Sequence, residues 1–242
     1  MKVLILAAGI GSRLGKLTED KPKCLLDLGD GTTIIEYQLK CLMELAGFVY
    51  SDIFIVGGHK FETLQYLIKK GINLIFNPKY RECNNVYSFY LARDYIKDDF
   101  ILLNGDTVFH PEILEKLIDV GKGTYFVVDN VKKLGEEEMK VLIEDDRILK
   151  FGKDIDPKSA HGEYIGVAKF DVNDARIIFE KMGELIESGK TDIWYELAIN
   201  HVLDKVIAKP VYTNGLPWIE VDTPEDYEKV RTIFEKVIVI DL

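Results

Sequence analysis

The chain has 242 residues, 47% of them hydrophobic, and its 41 acidic and 31 basic residues give a formal net charge of -10 at pH 7. This length and apolar content are sufficient to bury the core of one large α/β domain. An acidic chain without a basic stripe is a poor binder of nucleic acid, so we expect no nucleic-acid partner. Phosphorylated small molecules are not excluded, because a few lysines and a metal ion in one cleft can bind them.

The cysteines and the apolar runs indicate the compartment. Cys24, Cys41 and Cys83 show neither CxxC spacing nor the density of a disulfide scaffold, which predicts a reducing, cytoplasmic location. No apolar run approaches the roughly 20 residues that span a bilayer, and the run at residues 3–8 is too short for a signal peptide. We therefore expect no membrane insertion. Two glutamines beside abundant lysine and glutamate resemble the composition of proteins from hot environments.

The first half of the chain alternates two kinds of segment. Short β-rich apolar runs predict strands at residues 3–6, 52–56, 73–76 and 100–103. Apolar residues at three- and four-residue spacing predict helices at residues 33–45, 61–70, 86–95 and 111–120. This alternation is typical of βαβ units, and it predicts a Rossmann-like, doubly wound, mostly parallel sheet flanked by helices.

The second half is richer in strands. The pattern predicts strands at residues 125–129, 140–143, 148–151, 164–170, 206–211 and 218–221. It predicts helices at residues 172–187, at residues 191–203 and from residue 224 onward. No repeat, low-complexity tract or long linker divides the chain. We expect one domain over residues 1–242 whose halves, 1–120 and 121–242, share one mixed sheet.

A glycine-rich turn follows the first strand. Residues 6–14 read Leu-Ala-Ala-Gly-Ile-Gly-Ser-Arg-Leu, and a Lys-Pro-Lys segment ends at Lys23. Glycines let backbone N–H groups approach phosphate oxygens, while Arg13 and Lys23 supply positive charge. A dinucleotide-binding GxGxxG needs a glycine at Leu14, and the spacing also fails the P-loop pattern. An ordinary strand-loop turn with surface lysines remains the alternative.

Two carboxylates end predicted strands. Asp106 follows the strand at residues 100–103, and Asp222 follows the strand at 218–221. Ligands of open α/β sheets bind at the carboxyl edge, and two carboxylates with substrate phosphates suit Mg²⁺. The alternatives are that Asp106 closes a turn and that Asp222 or Thr223 caps the last helix.

Four motifs together resemble the sugar-phosphate nucleotidylyltransferase superfamily. In chain order they are Leu6-Ala7-Ala8-Gly9-x-Gly11-Ser12-Arg13 with Lys21-Pro22-Lys23, Asn104-Gly105-Asp106, Glu163-Tyr164-Ile165-Gly166, and Glu220-Val221-Asp222-Thr223-Pro224. The segment 84–93 is similar to that of the branch of cytidylyltransferases acting on phosphocholine, aminoethylphosphonate or inositol 1-phosphate. The resemblance covers nearly the whole chain and implies a stand-alone catalytic domain, with nucleotide binding in residues 1–120 and acceptor binding in residues 121–242.

The resemblance also implies the roles of individual residues. Arg13, Lys23 and Lys153 are the implied catalytic cations, and Asp106 with Asp222 is the implied Mg²⁺ site, with contact from Glu220 left open. The implied nucleotide-binding residues are Leu6, Ala7, Ala8, Gly9, Gly11, Ser12, Gly57, Gly58, Asn84, Asn85, Ser88 and Asp106. The implied acceptor-binding residues are Glu163, Tyr164, Gly166, Trp194 and Tyr195. Structural alternatives remain for several of these residues. The asparagines could cap a helix, and Gly57 and Gly58 could form a plain turn. Lys153 could be a surface lysine, and Trp194 and Tyr195 could belong to the core.

We therefore expect a Mg²⁺-dependent enzyme that joins CTP to a small phosphorylated alcohol, of the inositol 1-phosphate or phosphocholine type. A phosphate acceptor is mostly dianionic near neutral pH, so the reaction needs positioning and charge neutralisation more than a strong base. A sugar-1-phosphate transferase using UTP or dTTP is the sister alternative, and a non-catalytic nucleotide sensor is a remote one. The sequence does not indicate the oligomeric state.

Overall fold

The protein is described by a computed structural model that covers residues 1–234. Residues 235–242, the end of the predicted half 121–242, lie outside the described residues. The strands are β1 Lys2–Ala7, β2 Ile53–Gly57, β3 Asn73–Phe76, β4 Phe100–Asn104, β5 Thr107–Phe109, β6 Thr124–Asp129, β7 Lys140–Glu144, β8 Arg147–Gly152, β9 Gly162–Phe170, β10 Ala208–Tyr212 and β11 Trp218–Glu220. The α-helices are α1 Ile34–Glu44, α2 Asn85–Leu91, α3 Pro111–Asp119, α4 Val172–Glu187, α5 Tyr195–Asn200 and α6 Pro224–Ile233.

One mixed sheet runs through both halves of the described chain. Its strand order is β10-β6-β9-β4-β1-β2-β3, with β7 joined to β9 and β8 joined to β7. Strands β3, β2, β1 and β4 are parallel, and β10 is parallel to β6. Strand β9 is antiparallel to both β4 and β6. The predicted Rossmann-like, mostly parallel mixed sheet flanked by helices is confirmed.

The direction of these strands creates one polar edge. The carboxyl ends of β1, β4 and β6 meet there, and the antiparallel β9 brings its amino-terminal end to the same place. A small antiparallel ladder between β5 and β11 lies beside it, with Glu220 opposite Thr107. The end of β11 is therefore next to the end of β4, although more than 100 residues separate them.

Helices cover both faces of the sheet, because successive apolar side chains of β1 point to opposite faces and both sets are buried. Val3 and Ile5 belong to one hydrophobic cluster with α1 and α3, whereas Leu4 and Leu6 belong to a second cluster with α2, α4 and α5. Side chains of successive strand residues point to opposite faces, so a strand buried on both sides must be apolar throughout. Burial in two layers explains why the strand sequences are continuous hydrophobic runs.

Three elements differ from the sequence-based expectation. The segment Phe61–Lys70 is a 3₁₀ helix. In its first turn, both the N–H and the hydroxyl of Thr63 donate to the Lys60 carbonyl, which is the i to i+3 bond of a 3₁₀ helix. The helix predicted at residues 191–203 is only α5, because the N–H of Tyr195 donates to the Asn85 side chain instead of to an earlier turn. The three-residue strand β5 was not predicted, since so short a run gives no periodicity.

Two helix starts in the described chain carry a full capping box. The hydroxyl of Thr33 accepts from the N–H of Glu36, and the hydroxyl of Thr223 accepts from the N–H of Asp226. Such caps contribute about 1 kcal/mol each. Since Thr223 caps α6, Asp222 is free for another role. No helix of residues 1–234 is long and apolar enough to cross a membrane.

Candidate active site

A cleft of about 980 Å³ opens at the polar edge of the sheet. The predicted site residues on its wall are Leu6, Ala8, Gly9, Arg13, Lys23, Asn84, Asn85, Ser88, Asp106, Lys153, Glu163, Tyr164, Gly166, Trp194 and Asp222. Ala7 lines a small cavity of about 60 Å³ beside it. Gly11, Ser12, Gly57, Gly58 and Tyr195 are not on the wall of either cavity. The structure thus brings most of the predicted residues to one place.

The glycine turn fixes the position of Lys23. Gly11 has a φ of +70°, a conformation that favours glycine. A Cβ atom at Gly11 would lie 2.8 Å from Cγ of Lys23, so the lysine stem packs directly on this glycine. The hydroxyl of Thr18 donates to the Gly11 carbonyl at 2.9 Å, and the ring of His59 is 2.7 Å from the Thr18 carbonyl. Gly11 therefore acts on the cleft through Lys23 rather than from its wall.

Asp106 is held in its turn from three sides. The buried amide of Gln38, on α1, donates to the carbonyls of Asn104 and Thr107 at 2.8 Å each. The N–H of Gly105 donates to the Leu6 carbonyl at 2.8 Å, which ties the turn to the end of β1. The N–H of Val221 donates to the carbonyl of Asp106 at 2.9 Å. Asp106 does close a turn, and the same bonds bring its carboxylate beside Asp222.

Ion pairs connect four residues that are distant in sequence. The ammonium group of Lys23 donates to Oδ2 of Asp106 at 2.8 Å and also to Asp222. The guanidinium of Arg13 donates to the other oxygen of Asp222. Burial lowers the pKa of Lys23, but Asp106 and Asp222 raise it more, so that the net pKa lies well above its usual value. Lys23 is therefore a permanent cation at neutral pH.

Three carboxylates cluster at this end of the cleft. Oxygen atoms of Asp106, Glu220 and Asp222 all lie within 4.8 Å of one another, so the alternation of side chains does place Glu220 on the same side as Asp222. Burial, followed by the charges of Asp106 and Asp222, raises the pKa of Glu220 to about 8. The Glu220 side chain is exposed to solvent, so the charges of its two neighbouring carboxylates are the firmer cause of this rise in its pKa. A set of three close carboxylate oxygens suits a hard divalent cation such as Mg²⁺.

Asparagines and a serine form the wall next to β1. Asn84 is the N-cap of α2 and its side chain accepts from the N–H of Asn85. The side chain of Asn85 accepts from the N–H of Tyr195 at 2.8 Å, so it joins α2 to α5. The amide of the buried Asn77 donates to the hydroxyl of Ser88 at 2.9 Å. Asn84 therefore caps α2 and also lines the cleft. Its contact with a nucleobase stays a prediction.

A different network lines the end of the cleft that carries Trp218. The ammonium nitrogen of Lys132 lies 2.9 Å from a carboxylate oxygen of Glu163 and 3.7 Å from one of Glu138. Burial raises the pKa of Glu163, although Lys132 lowers it, and the net pKa is raised. The indole N–H of Trp218 donates to Asp129 at 2.7 Å, and the ammonium of Lys132 lies 5.2 Å from the Trp218 ring centre. Glu163 thus reaches the cleft as an ion-paired, partly shielded carboxylate.

Lys153 and Trp194 face each other at this same end. The ammonium of Lys153 lies 4.8 Å from the Trp194 ring centre and 3.5 Å from a carboxylate oxygen of Glu137. Gly166, at a φ of +76°, lets β9 pass close to Asn104, because a Cβ there would lie 2.4 Å from the Asn104 amide nitrogen. Lys153, Trp194 and Gly166 all line the cleft.

Tyr195 differs from its expected role. Its side chain is fully buried in the aromatic cluster on one face of the sheet, and its hydroxyl is 2.8 Å from that of Tyr164. The core position that the sequence left open is therefore the observed one, and Tyr195 supports Tyr164 from behind the cleft wall. The residue after it, Glu196, lines the cleft instead.

Several further residues of the cleft were not predicted. They are Asn77, Asp129, Lys132, Glu138, Glu196 and Trp218, and Glu220 had been left open. Trp218 belongs to β11, which ends two residues before Asp222, so its position could have been inferred from that motif. Asp129 ends the predicted strand at residues 125–129, so the strand-end pattern that marked Asp106 also applied to it. Lys132 and Glu138 lie between β6 and β7, where no local pattern marks them.

Known proteins resemble this chain along its whole length. Residues 3–141 match the family described as MobA-like NTP transferase domain. A choline-phosphate cytidylyltransferase from Streptococcus pneumoniae is 31% identical over 241 residues, which are 97% of this chain and 99% of that protein. A solved CTP:phosphocholine cytidylyltransferase from Streptococcus pneumoniae superposes with a TM-score of 0.80 at 26% identity, covering 96% of this chain and 98% of that one. A solved inositol-1-phosphate CTP transferase from T. maritima superposes with a TM-score of 0.76 at 27% identity, covering 98% and 97%.

Proposed function

This chain belongs to the MobA-like NTP transferase domain family and is a nucleotidyltransferase, and we propose that it joins CTP to a small phosphorylated alcohol. The products are a CDP-alcohol and pyrophosphate. The resemblance to two cytidylyltransferases with different acceptors, choline phosphate and inositol 1-phosphate, supports the nucleotide more strongly than the acceptor.

One observation carries the proposal. The carboxylates of Asp106, Glu220 and Asp222 meet within 4.8 Å of one another, and Lys23 and Arg13 contact the same aspartates. Such an arrangement places cation ligands and positive charges side by side at the carboxyl edge of the sheet, where a triphosphate needs both. A protein that used this edge only for structure would gain little from three adjacent carboxylates, because they repel one another.

Asp106 and Asp222 would hold a divalent cation, which we propose is Mg²⁺, and Glu220 is the third group able to contact it. When bound, such an ion supplies positive charge to the phosphates of the nucleotide. The fit rests on the donor set: three carboxylate oxygens of suitable spacing, of which Glu220 has a pKa raised by burial and by its two neighbours. A divalent cation would lower that pKa again.

The side chains of the cleft would perform the remaining work by position and charge. An oxygen of the acceptor phosphate attacks the α-phosphorus of CTP, a new P–O bond forms, and the bond to the bridging oxygen of pyrophosphate breaks. Arg13 and Lys23 offset charge on the triphosphate, and Lys153 offsets charge on the acceptor. No strong base is needed, since the attacking oxygen is already anionic near neutral pH. We expect no covalent enzyme intermediate.

A pyrophosphate-release screen tests the proposal directly. CTP, UTP, dTTP and ATP are each combined with inositol 1-phosphate, phosphocholine, aminoethylphosphonate and several hexose 1-phosphates, with and without Mg²⁺. We expect release only with Mg²⁺, with CTP strongly favoured and a non-sugar acceptor among the best. The inactive control is Asp106→Ala.

Two outcomes of the screen contradict the proposal in different ways. Preference for UTP or dTTP with a hexose 1-phosphate assigns the chain to the sugar-1-phosphate transferases. Tight nucleotide binding without pyrophosphate release for any acceptor indicates a nucleotide sensor.

A further inference from the structure

Glu196 is a buried carboxylate on the wall of the cleft. It lies in the first turn of α5, and only 4% of its surface is exposed although it contacts the cavity. The start of α5 is fixed where the N–H of Tyr195 donates to Asn85 at 2.8 Å. Glu196 therefore projects from a rigid position, between the wall that carries Asn85 and the end of the cleft that carries Lys153.

One oxygen of Glu196 has no partner. Within residues 1–234, Oε2 is buried and accepts no hydrogen bond. A buried acceptor that has lost water without gaining a donor is unfavourable, and more so when it is charged. Burial accordingly raises the pKa of Glu196 to about 7, even though hydrogen bonds with its own backbone N–H and with the Tyr195 side chain, followed by the Lys153 ammonium, act in the opposite direction. A carboxylate kept in this state beside a cavity is suited to a ligand that brings the missing donor.

The neighbours of Glu196 indicate which ligand that is. Lys153, the proposed partner of the acceptor phosphate, is close enough for its charge to influence Glu196. Trp194 directly precedes the first turn of α5 and packs against Lys153. A group that reaches Glu196 is therefore attached to the molecule whose phosphate lies at Lys153, and the nucleobase wall is formed by other residues.

We propose that Glu196 determines acceptor specificity by accepting a hydrogen bond from an O–H or N–H group carried by the acceptor. The inference rests on the proposed function and names the acceptor class: a phosphorylated alcohol with a hydroxyl or a primary ammonium group near its phosphate. A quaternary ammonium has no such donor and leaves Oε2 without a partner. Cation binding over Trp218 is also hindered, because the ammonium of Lys132 already occupies that ring face at 5.2 Å while paired with Glu163.

Phosphoethanolamine and phosphocholine provide the test, since they differ only in three N-methyl groups. Initial rates with CTP are measured for both and for inositol 1-phosphate, using the wild type, Glu196→Ala and Glu196→Gln. Glu187→Gln, at the exposed end of α4, is the matched control. Phosphoethanolamine offers an ammonium donor and inositol 1-phosphate offers hydroxyl donors, so comparing their rates shows which of the two groups Glu196 prefers.

We expect the wild type to favour at least one donor-bearing acceptor over phosphocholine. Glu196→Ala should lower kcat/KM for that acceptor by about 10- to 100-fold, lower it less for phosphocholine, whose cation attracts the carboxylate but cannot donate a hydrogen bond to it, and leave the KM of CTP unchanged. Glu196→Gln keeps a carbonyl oxygen and should lose less. An equal loss for all three acceptors, or a wild-type preference for phosphocholine, overturns the proposal.

A binding measurement separates this inference from the proposed reaction. Both tryptophans of the chain, Trp194 and Trp218, line the cleft, so their fluorescence reports ligand binding without turnover. If no acceptor supports pyrophosphate release, the proposed function fails, but titration with the same three acceptors still tests Glu196. Weaker binding of the donor-bearing acceptors to Glu196→Ala supports the role, and identical binding to wild type and variant contradicts it.

Discussion

The two ends of the cleft are built from different interactions. At the end beside the glycine turn, ion pairs join Arg13, Lys23, Asp106 and Asp222, which come from three separate parts of the chain. At the other end, acidic residues are shared between single lysines, indole rings and backbone groups, as at Lys132 and Trp218. The first end gathers three carboxylates around Lys23 and Arg13, whereas the second spreads its ion pairs over separate acidic side chains and two indole rings.

This difference indicates that the two ends serve two tasks of a transferase, binding of the triphosphate and choice of the acceptor. Holding a triphosphate needs dense charge, and the carboxyl edge of a parallel sheet brings strand-end residues together for this purpose. Choosing a small acceptor needs a few groups in fixed places, since each hydrogen bond left unmade discriminates against the wrong ligand. The charged end should therefore govern turnover, and the other end should govern the acceptor KM.

The largest effect is expected at the charged end, from Asp106→Ala. Loss of this carboxylate removes a proposed cation ligand, and we expect kcat to fall by about 100- to 1,000-fold. Stability should change little, because Lys23 keeps Asp222 as a partner and the carboxylate cluster loses one repelling charge. Steady-state kinetics and thermal unfolding measure the two effects. Asp98→Ala, on an exposed loop, is the control, and near-normal turnover in Asp106→Ala would remove Asp106 from the site.

The next effect in size is that of Lys23→Ala. Without this ammonium, Asp106, Glu220 and Asp222 face one another, and the exposed Arg13 is the one cation of residues 1–234 that is still ion-paired with them. We expect kcat to fall by about 100-fold and the metal-free protein to lose about 2–4 kcal/mol of stability. Added Mg²⁺ should restore part of that stability, measured by thermal unfolding with and without EDTA.

Lys16→Ala, at an exposed position of the same loop, is the control for Lys23→Ala. If Mg²⁺ stabilises the wild type and Lys23→Ala equally little, the carboxylate cluster does not bind the ion.

The contrast between the two ends also explains what the sequence could predict. Asp106 and Asp222 follow strands, and the topology of an α/β sheet brings strand ends together whatever the loops do. Lys23 and Arg13 belong to the turn after β1, so their arrival at the same edge follows from chain proximity. The sheet, its helices and the charged end were therefore predictable from periodicity and motif order.

The other end was less predictable because it depends on loop conformation and side-chain packing. Tyr195 and Glu196 are adjacent in a six-residue helix, and the sequence gives no reason to place one in the core and the other on the cleft. That choice is made by the bond from the Tyr195 N–H to Asn85, 110 residues away. Lys132 likewise reaches the cleft through the segment after β6, which has no periodicity to interpret, whereas Asp129 is the last residue of β6 itself.

A smaller effect is expected from Gly11→Ala, which disturbs the charged end through packing alone. Gly11 and Gly15 both have positive φ values, so alanine at either position should cost about 1–3 kcal/mol of stability. Only at Gly11 would the new Cβ lie 2.8 Å from the Lys23 stem, whereas nothing lies within 4 Å at Gly15. We expect Gly11→Ala to lose about tenfold in kcat beyond any loss in Gly15→Ala. Equal kinetics in the two variants would show that Lys23 adjusts freely.

The smallest effect is expected at the acceptor end, from Lys153→Ala, and it tests the division between the two ends most directly. The Lys153 ammonium lies over Trp194 at 4.8 Å and 3.5 Å from Glu137, within the network that we assign to the acceptor. Removing it should raise the acceptor KM by about tenfold, as expected for one lost charge-assisted hydrogen bond, and leave the KM of CTP unchanged. Lys158→Ala, exposed and five residues further along the chain, is the control. If the KM of CTP rises as much as that of the acceptor, Lys153 serves the nucleotide, and the cleft has one continuous phosphate surface rather than two specialised ends.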